Sequence, residues 1–282
     1  MLRMYAFSKR EGKWLKQSLR RVPAAAELPG FRVVTFNVWF DRYECERRCH
    51  AVLDILRQQA PDVIALQEVT PLFLARLLSE PWVRDAYACS RSKLLDARYD
   101  VVMLSRLPVS RFVSYPLTTD MGRRLHALEI PTTRGRLVVA GVHLESMRER
   151  TPTRLTQIDE CIPILSRADF SIWLGDFNSA PSSDEDQRIC VAFRDAWDDL
   201  DGTPGYTRDT SRNAMLAKVK ADRHQRIDRI LWRGQGFQPV RIGLLGTAPL
   251  PDTDGQVFPS DHFGLSAELE PTPVAALEHA GE

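Results

Sequence analysis

The chain has 282 residues, 44% hydrophobic and 27% charged, and a formal net charge of +1. That length buries a large core, as one big α/β domain or two smaller ones, and the near-neutral balance excludes a whole-surface basic field for nucleic acid. No apolar run reaches the ~18 residues of a membrane span. Five scattered cysteines (45, 49, 89, 161, 190) make no disulfide framework, and the basic N-terminus lacks a continuous apolar stretch, so the sequence reads as a reduced, cytoplasmic protein without a secretory signal.

Residues 1–29 are the basic part. Arg3, Lys9, Arg10, Lys13, Lys16, Arg20 and Arg21 face only Glu11 and Glu27, which leaves the remainder net −4, as expected of a domain with clustered carboxylates. Phe7, Trp14/Leu15, Leu19 and Val22 fall on one side of a basic amphipathic helix, with Pro23 and Pro29 behind it. The expectation is an extension over 1–29, a catalytic domain over 30–270 and a flexible Pro/Ala/Glu-rich tail over 271–282. The basic stretch reads as a solvated face or as a surface for nucleic acid or another anionic partner.

Within the domain, apolar runs end in polar residues. Phe31 to Val38 carries Asn37, and Asp62 to Leu66 runs into Gln67-Glu68-Val69. Leu137 to Val142 runs into His143-Leu144-Glu145-Ser146, Ser171 to Leu174 into Gly175-Asp176-Phe177-Asn178, and Ile227 to Trp232 contains Asp228. Between the first two, Cys45, Cys49, Val52/Leu53 and Leu56 recur at helical spacing before Pro61; Leu155, Ile158, Ile162 and Leu165 do so between the third and fourth. Residues 181–186 and 202–213 read as polar loops. Strands alternating with helices give an α/β class, with ligands expected beyond strand ends.

Ile172, Leu174, Asp176 and Asn178 share one face of their strand. A buried strand resists unpaired polar groups, so this pair suggests a site, although Asx residues after glycine also form ordinary turns. Together the strand ends offer Asn37, Glu68, His143, Asp176, Asn178, Asp228, Asp261 and His262. Clustered carboxylates repel unless a cation sits among them, and carboxylate, amide and water ligands suit Mg²⁺ or Mn²⁺. Imidazole and amide beside such an ion donate to phosphoryl oxygens, and an unligated carboxylate activates water. The set describes metal-assisted phosphoester hydrolysis. Cys45, Cys49 and His50 fit a buried helix face better than zinc. Ser260-Asp261-His262 has no nucleophile elbow to make it a hydrolase triad. Arg123-Arg124 either grip a phosphate or sit in solvent.

The ordered series Thr35-Phe-Asn37, Leu66-Gln-Glu68-Val, Gly141-Val-His143-Leu-Glu-Ser146, Gly175-Asp176-Phe-Asn178, Arg226-Ile-Asp228-Arg and Ser260-Asp261-His262 resembles the endonuclease/exonuclease/phosphatase superfamily over roughly residues 30–269. Within it, His143-Leu-Glu-Ser146-Met-Arg148, Arg154 with Gln157, Gly205-Tyr206-Thr207-Arg208-Asp209-Thr210 and Phe258-Pro-Ser-Asp261-His262-Phe-Gly264-Leu look most like the tyrosyl-DNA phosphodiesterase 2 group. The resemblance implies a four-layer α/β sandwich, two packed mixed β-sheets flanked by helices, with one divalent-metal site at their shared edge. It implies Glu68 as principal metal ligand with Asn37 and Asp261 beside it, and Asp176 as the residue that activates water. Asn178, His143 and His262 then stabilise the transition state, with Asp228 orienting His262. Ser146 and Arg148 would contact a substrate phosphate, and Arg208 stands where the group carries a DNA-contacting tryptophan. A DNA-contacting arginine of the group is likewise replaced within Ser179-Ala180-Pro181. The implied activity is Mg²⁺- or Mn²⁺-dependent hydrolysis of a nucleic-acid phosphoester, DNA above all, and in its most specific form of a 5′-tyrosyl–DNA bond. A phosphatase or lipid-type phosphodiesterase of the same superfamily and an inactive nucleic-acid-binding scaffold are the alternatives.

Overall fold

A computed structural model describes residues 3–17, 24–93, 98–216 and 223–273. Its first finding corrects the expectation for the basic segment. β1 (Tyr5–Ser8) and β2 (Lys13–Lys16) form an antiparallel hairpin rather than a helix. Gly12 takes φ +63° in the turn, which glycine adopts at little cost. Phe7 pairs across the hairpin with Trp14, their rings 5.8 Å apart edge to face. Met4 is only 1% exposed and belongs to the main core, so this segment is built into the domain rather than standing apart from it. Leu19 and Val22 lie outside the described residues.

The chain then runs through β3 (Phe31–Asn37), α1 (Cys45–Gln59), β4 (Val63–Val69), α2 (Pro71–Ser79), α3 (Pro81–Ala86), β5 (Ala88–Cys89) and β6 (Asp100–Ser105). β7 (Arg111–Pro116), β8 (Arg124–Thr132) and β9 (Gly135–His143) form a meander leading to α4 (Thr151–Leu165) and β10 (Phe170–Asp176). α5 (Asp184–Cys190), β11 (Arg194–Asp195), α6 (Ala196–Leu200), β12 (Arg208–Asp209), β13 (His224–Gln225), β14 (Asp228–Gly234), β15 (Phe237–Leu245) and β16 (Gly264–Pro271) complete it. The supposed loop at 181–186 is partly helical. Ser183 caps α5 by accepting from the Asp186 N–H, and Asp184, Glu185 and Asp186 lie in its first turn, where carboxylates complement the helix dipole. Residues 274–282 of the expected tail lie outside the described residues.

Two mixed sheets result, ordered β15-β16-β3-β4-β6-β5-β1-β2 and β11-β14-β10-β9-β8-β7, with β12-β13 as a small ribbon. Period-two alternation splits the apolar residues into layers. Val33, Val63, Ala65 and Met103 of the first sheet meet Leu128, Val139, Ile172, Leu174 and Ile230 of the second. On the outer face, Val34, Phe36, Ile64 and Leu66 pack under α1 and α2, burying Cys49, Val52, Leu56, Leu74 and Leu77. Val138, Ala140, Val142 and Trp173 pack under α4 and α5 with Ile158, Cys161 and Ile189. Helix, sheet, sheet, helix: this is the four-layer sandwich.

Within the second sheet, β9 and β10 approach closely at a glycine. At Gly175, φ is +146° and an added Cβ would lie 2.0 Å from the Val142 carbonyl oxygen. Gly175→Ala should therefore lower stability by about 2 kcal/mol or more, through backbone strain and a clash that no rotamer relieves. Urea unfolding measures it; an unchanged midpoint would contradict this geometry.

Candidate active site

The inter-sheet faces of several strands carry the site. Phe31 and Val33 precede Asn37 on that face of β3, Leu137 and Val139 precede His143 on β9, and Ile172 and Leu174 precede Asp176 on β10; Ile230 follows Asp228 on β14. Each polar residue thus continues an apolar file past the end of the core, at one edge of the sandwich. Neighbouring registers align them: Asp176 lies opposite His143 on one side and Asp228 on the other.

Glu68 arrives differently. Simple alternation puts it with Ile64 and Leu66, toward the helices. The β4–β6 register shifts between Leu66 and Val69, and Glu68 takes φ +60°. A bulge with a left-handed residue re-aims that carboxylate into the cleft. There it accepts the Phe40 N–H at 3.0 Å. Burial is the main influence raising its carboxyl above the ordinary range, against that N–H, and the carboxylates of Asp261 and Asp176 push the same way.

Asp176 is the hub. Its Oδ2 accepts from Asn37 Nδ2 at 2.9 Å and lies 3.4 Å from His143 Nε2; its Oδ1 accepts the Asn178 N–H at 2.9 Å. Asn178, at φ +50°, points its amide at the Leu144 carbonyl (3.1 Å) and at Ser146 Oγ (3.4 Å). Two imidazoles differ in charge. His143 is pushed down to about 3, by burial first and by Arg123 and His262 beside it, against the pull of Asp176. Arg123 Nη1 lies 3.0 Å from His143 Nδ1; a guanidinium only donates, so Nδ1 accepts and the ring proton sits on Nε2. His262 is held up to about 9: burial opposes the cation, but Asp228, Asp261 and Asp176 more than offset it. Asp228 Oδ2 accepts a hydrogen bond from His262 Nδ1–H at 2.7 Å. Neutral and cationic rings stand side by side.

Whether a hard cation fits can be judged from the donor set. Asp261 Oδ1 is buried without a hydrogen-bond partner, and its carboxylate shares the cleft with Glu68 and Asp176. Carboxylate oxygens of this kind match a divalent ion with oxygen ligands. Among the described residues, Asp176, Asp228 and His262 also bring ligand atoms within 4.8 Å of one another. The 2.7 Å contact and the raised His262 mark that trio as held by protons, so Glu68 and Asp261 are the better seat for an ion. Cys45, Cys49 and His50 form no such group; Cys49 is buried under the first sheet, its thiol pushed up to about 12 by that burial.

Glu68, His143, Ser146, Arg148, Asp176, Asn178, Arg208, Asp261 and His262 line one cavity of about 840 Å³, with Asn37 and Asp228 behind it. Ser146 Oγ accepts from Arg123 Nη2 at 2.9 Å, Arg148 is exposed at the cleft wall, and Arg208 Nη2 reaches Asp261 Oδ2 at 3.4 Å. Sequence reasoning left Arg123 undecided; it is buried and bonded into the site. It also missed Thr207, whose Oγ1 accepts the N–H groups of Ile227 and Asp228 (3.1 and 3.2 Å) and so fixes the start of β14. Ser260 went unassigned too; its hydroxyl donates to the Asn37 carbonyl at 2.6 Å. Hydroxyls bonded to distant backbone leave no local pattern.

Residues 34–262 match the profile of the Endonuclease/Exonuclease/phosphatase family. Tyrosyl-DNA phosphodiesterase 2 of Bos taurus is 29% identical over 263 residues, covering 85% of this chain and 68% of the relative. The 5′-tyrosyl-DNA phosphodiesterase of Caenorhabditis elegans is 27% identical over 259 residues, covering 87% and 69%. The crystal structure of D. rerio TDP2 complexed with single strand DNA product superposes with a TM-score of 0.72 at 22% identity, covering 86% of this chain and 99% of that one. This last likeness bears on the fold.

The two imidazoles give a spectroscopic check. In ¹⁵N-resolved NMR titrations His262 should keep its charge until about pH 9, while His143 stays neutral, with its proton on Nε2, throughout the neutral range. Asp228→Asn removes the anion that favours the His262 cation, so its titration should move down. Two histidines titrating together between pH 6 and 7 would overturn the assignment.

Proposed function

The chain belongs to the endonuclease/exonuclease/phosphatase family, and from that premise we propose that it is a divalent-metal-dependent phosphodiesterase that hydrolyses DNA phosphoesters, with a 5′-tyrosyl–DNA bond as its substrate. The observation that carries this reading is the convergence of Asn37, Glu68, His143, Asp176, Asn178, Asp228, Asp261 and His262 on one sandwich edge, with a buried Asp261 oxygen left unpartnered. The curated relatives, named for 5′-tyrosyl and tyrosyl-DNA cleavage, support the choice of leaving group.

Glu68 and Asp261, with Asn37 beside them, would hold Mg²⁺ or Mn²⁺, which when bound neutralises charge on the phosphoryl oxygens. The chain's own groups do the rest. Asp176, oriented by Asn37 and the Asn178 N–H, positions the attacking water and takes its proton. His262, cationic through Asp228, and His143, with its proton turned outward by Arg123, donate to the oxygens where charge builds. The Asn178 amide adds a third donor. Ser146 and Arg148 hold a neighbouring phosphate, and Arg208 shifts from Asp261 toward the strand. Five free cysteines fit the cytoplasmic reading; among the described residues no helix is long and apolar enough to cross a membrane.

A purified enzyme with Mg²⁺ should release tyrosine from a 5′-tyrosyl oligonucleotide, faster than it cuts an abasic duplex or a phosphoinositide, and EDTA should stop it. A phosphoinositide turned over fastest would instead favour the lipid branch of the family. Asn178→Ala should lose ~10²–10³ in kcat with an unchanged circular dichroism spectrum. Near-normal turnover in that variant refutes its role.

A further inference from the structure

Two cavities open from the catalytic point. The one described above, about 840 Å³, contains Ser146, Arg148, Arg208 and Arg223. The other, about 670 Å³, lies past Trp39, Phe40 and Glu68, which line both. Apart from Glu68 at its mouth, no residue given a role above lines the second cavity. We propose that it is the leaving-group chamber, which takes the polypeptide around the DNA-linked tyrosine and favours acidic residues beside it. This rests on the tyrosyl–DNA reading and deepens it.

Both ester arms of a phosphodiester must leave the catalytic point, and in-line displacement places attacking water and leaving oxygen on opposite sides of phosphorus. Two cavities therefore take two arms. Both cavities carry arginines, so it is their other lining groups that assign the arms. Arg148, Arg208 and Arg223, with the Ser146 hydroxyl, suit the repeated phosphates of a strand.

The second chamber has a different wall. Leu72, in the first turn of α2, is 44% exposed there between Pro71 and Phe73, an apolar surface without an intramolecular cover. Its Phe40 and Trp39 rings are already occupied. Phe40 stacks on Tyr99 at 4.9 Å and carries the Arg98 guanidinium 4.3 Å from its centroid, and Arg48 lies 4.6 Å over Trp39. A nucleobase needs free aromatic faces to stack upon, so these walls suit a peptide better than a second length of strand.

Two guanidiniums set the charge preference. Arg48 is fully engaged, donating to the carbonyls of Tyr43, Val38, Trp39 and Asp41. It fixes loop 38–43, where Trp39 sits at φ +56°. Arg42 and Arg98 are exposed at the rim, and among the described residues no carboxylate pairs with either. Acidic side chains flanking the tyrosine would complete them.

The test compares three substrates: thymidine 5′-p-nitrophenyl phosphate, a 5′-oligonucleotide bearing tyrosine alone, and the same oligonucleotide bearing tyrosine within a short acidic peptide. The wild-type enzyme should show kcat/KM about fivefold higher for the peptidyl substrate than for lone tyrosine, mostly through KM. R42E with R98E should erase that gain and leave the other two substrates within about twofold, as rim charges act on encounter rather than chemistry. Leu72→Ser should reduce the same gain selectively. The proposal is overturned if the wild type shows no gain, or if the double variant loses equally on all three substrates. It is likewise overturned if the loss grows with oligonucleotide length, which would place nucleic acid in the chamber. Lack of turnover on both the lone-tyrosine and p-nitrophenyl substrates is a separate result, which defeats the function reading and the chamber with it.

Discussion

Everything in the active site depends on where the inter-sheet core stops. Files of apolar side chains on β3, β9, β10 and β14 face one another across the sandwich, and all are capped at the same edge by Asn37, His143, Asp176 and Asp228. Burying the files is the hydrophobic contribution that holds the sheets in register. The same register fixes the polar caps to within hydrogen-bond distances. A slip of one residue in any of these strands would turn its cap to the helix side, so catalytic geometry and core packing are one constraint.

The rest of the site is built by departures from regular backbone. Trp39, Glu68 and Asn178 all take positive φ, and Gly175 takes φ +146° against the Val142 carbonyl. Left-handed residues other than glycine are uncommon and cost free energy that surrounding structure must offset. Here the compensation is visible. Asn37 Oδ1 accepts from Trp39 N–H, Phe40 N–H donates to Glu68, and Asp176 Oδ1 accepts from Asn178 N–H. Each strained residue is tied to another member of the site, so the cleft is preorganised before substrate enters.

This division explains what the sequence made legible. The strands and the two long helices were readable because buried faces repeat with fixed periods; α1 and α4 begin and end within a few residues of their apolar patterns. Asp176 was readable because it follows Ile172 and Leu174 in phase. Glu68 was legible as an acid at the end of an apolar run, but its direction was not, since its strand's alternation points it the wrong way and a bulge corrects it. The N-terminal segment was misread because Phe7, Trp14 and Leu15 are compatible with either period. What decides between them is the tight turn at Gly12 and the open edge of β5 that receives β1, and that edge is formed by residues some eighty positions from β1. Arg123 escaped for a similar reason. Whether an arginine at a strand entry is solvated or buried depends on His143 and Ser146, which only the folded sheet brings beside it.

The charge balance of the cleft follows from these placements. Glu68, Asp176 and Asp261 line one cavity with Asp228 behind them, and the cationic His262, bonded to Asp228, offsets only part of their repulsion of an approaching phosphate. Arg208 leans toward Asp261 at 3.4 Å, longer than a close charge-assisted contact. A phosphodiester anion would be repelled from such a centre and attracted by the arginines around it. If Glu68 and Asp261 hold a divalent ion, as proposed, the sign at the centre would reverse, Arg208 would be released toward the strand, and the same carboxylates would become an asset. On that reading acidic interior and basic rim are halves of one arrangement, in which the rim would gather the polyanion and the charge-neutralised interior would accept it.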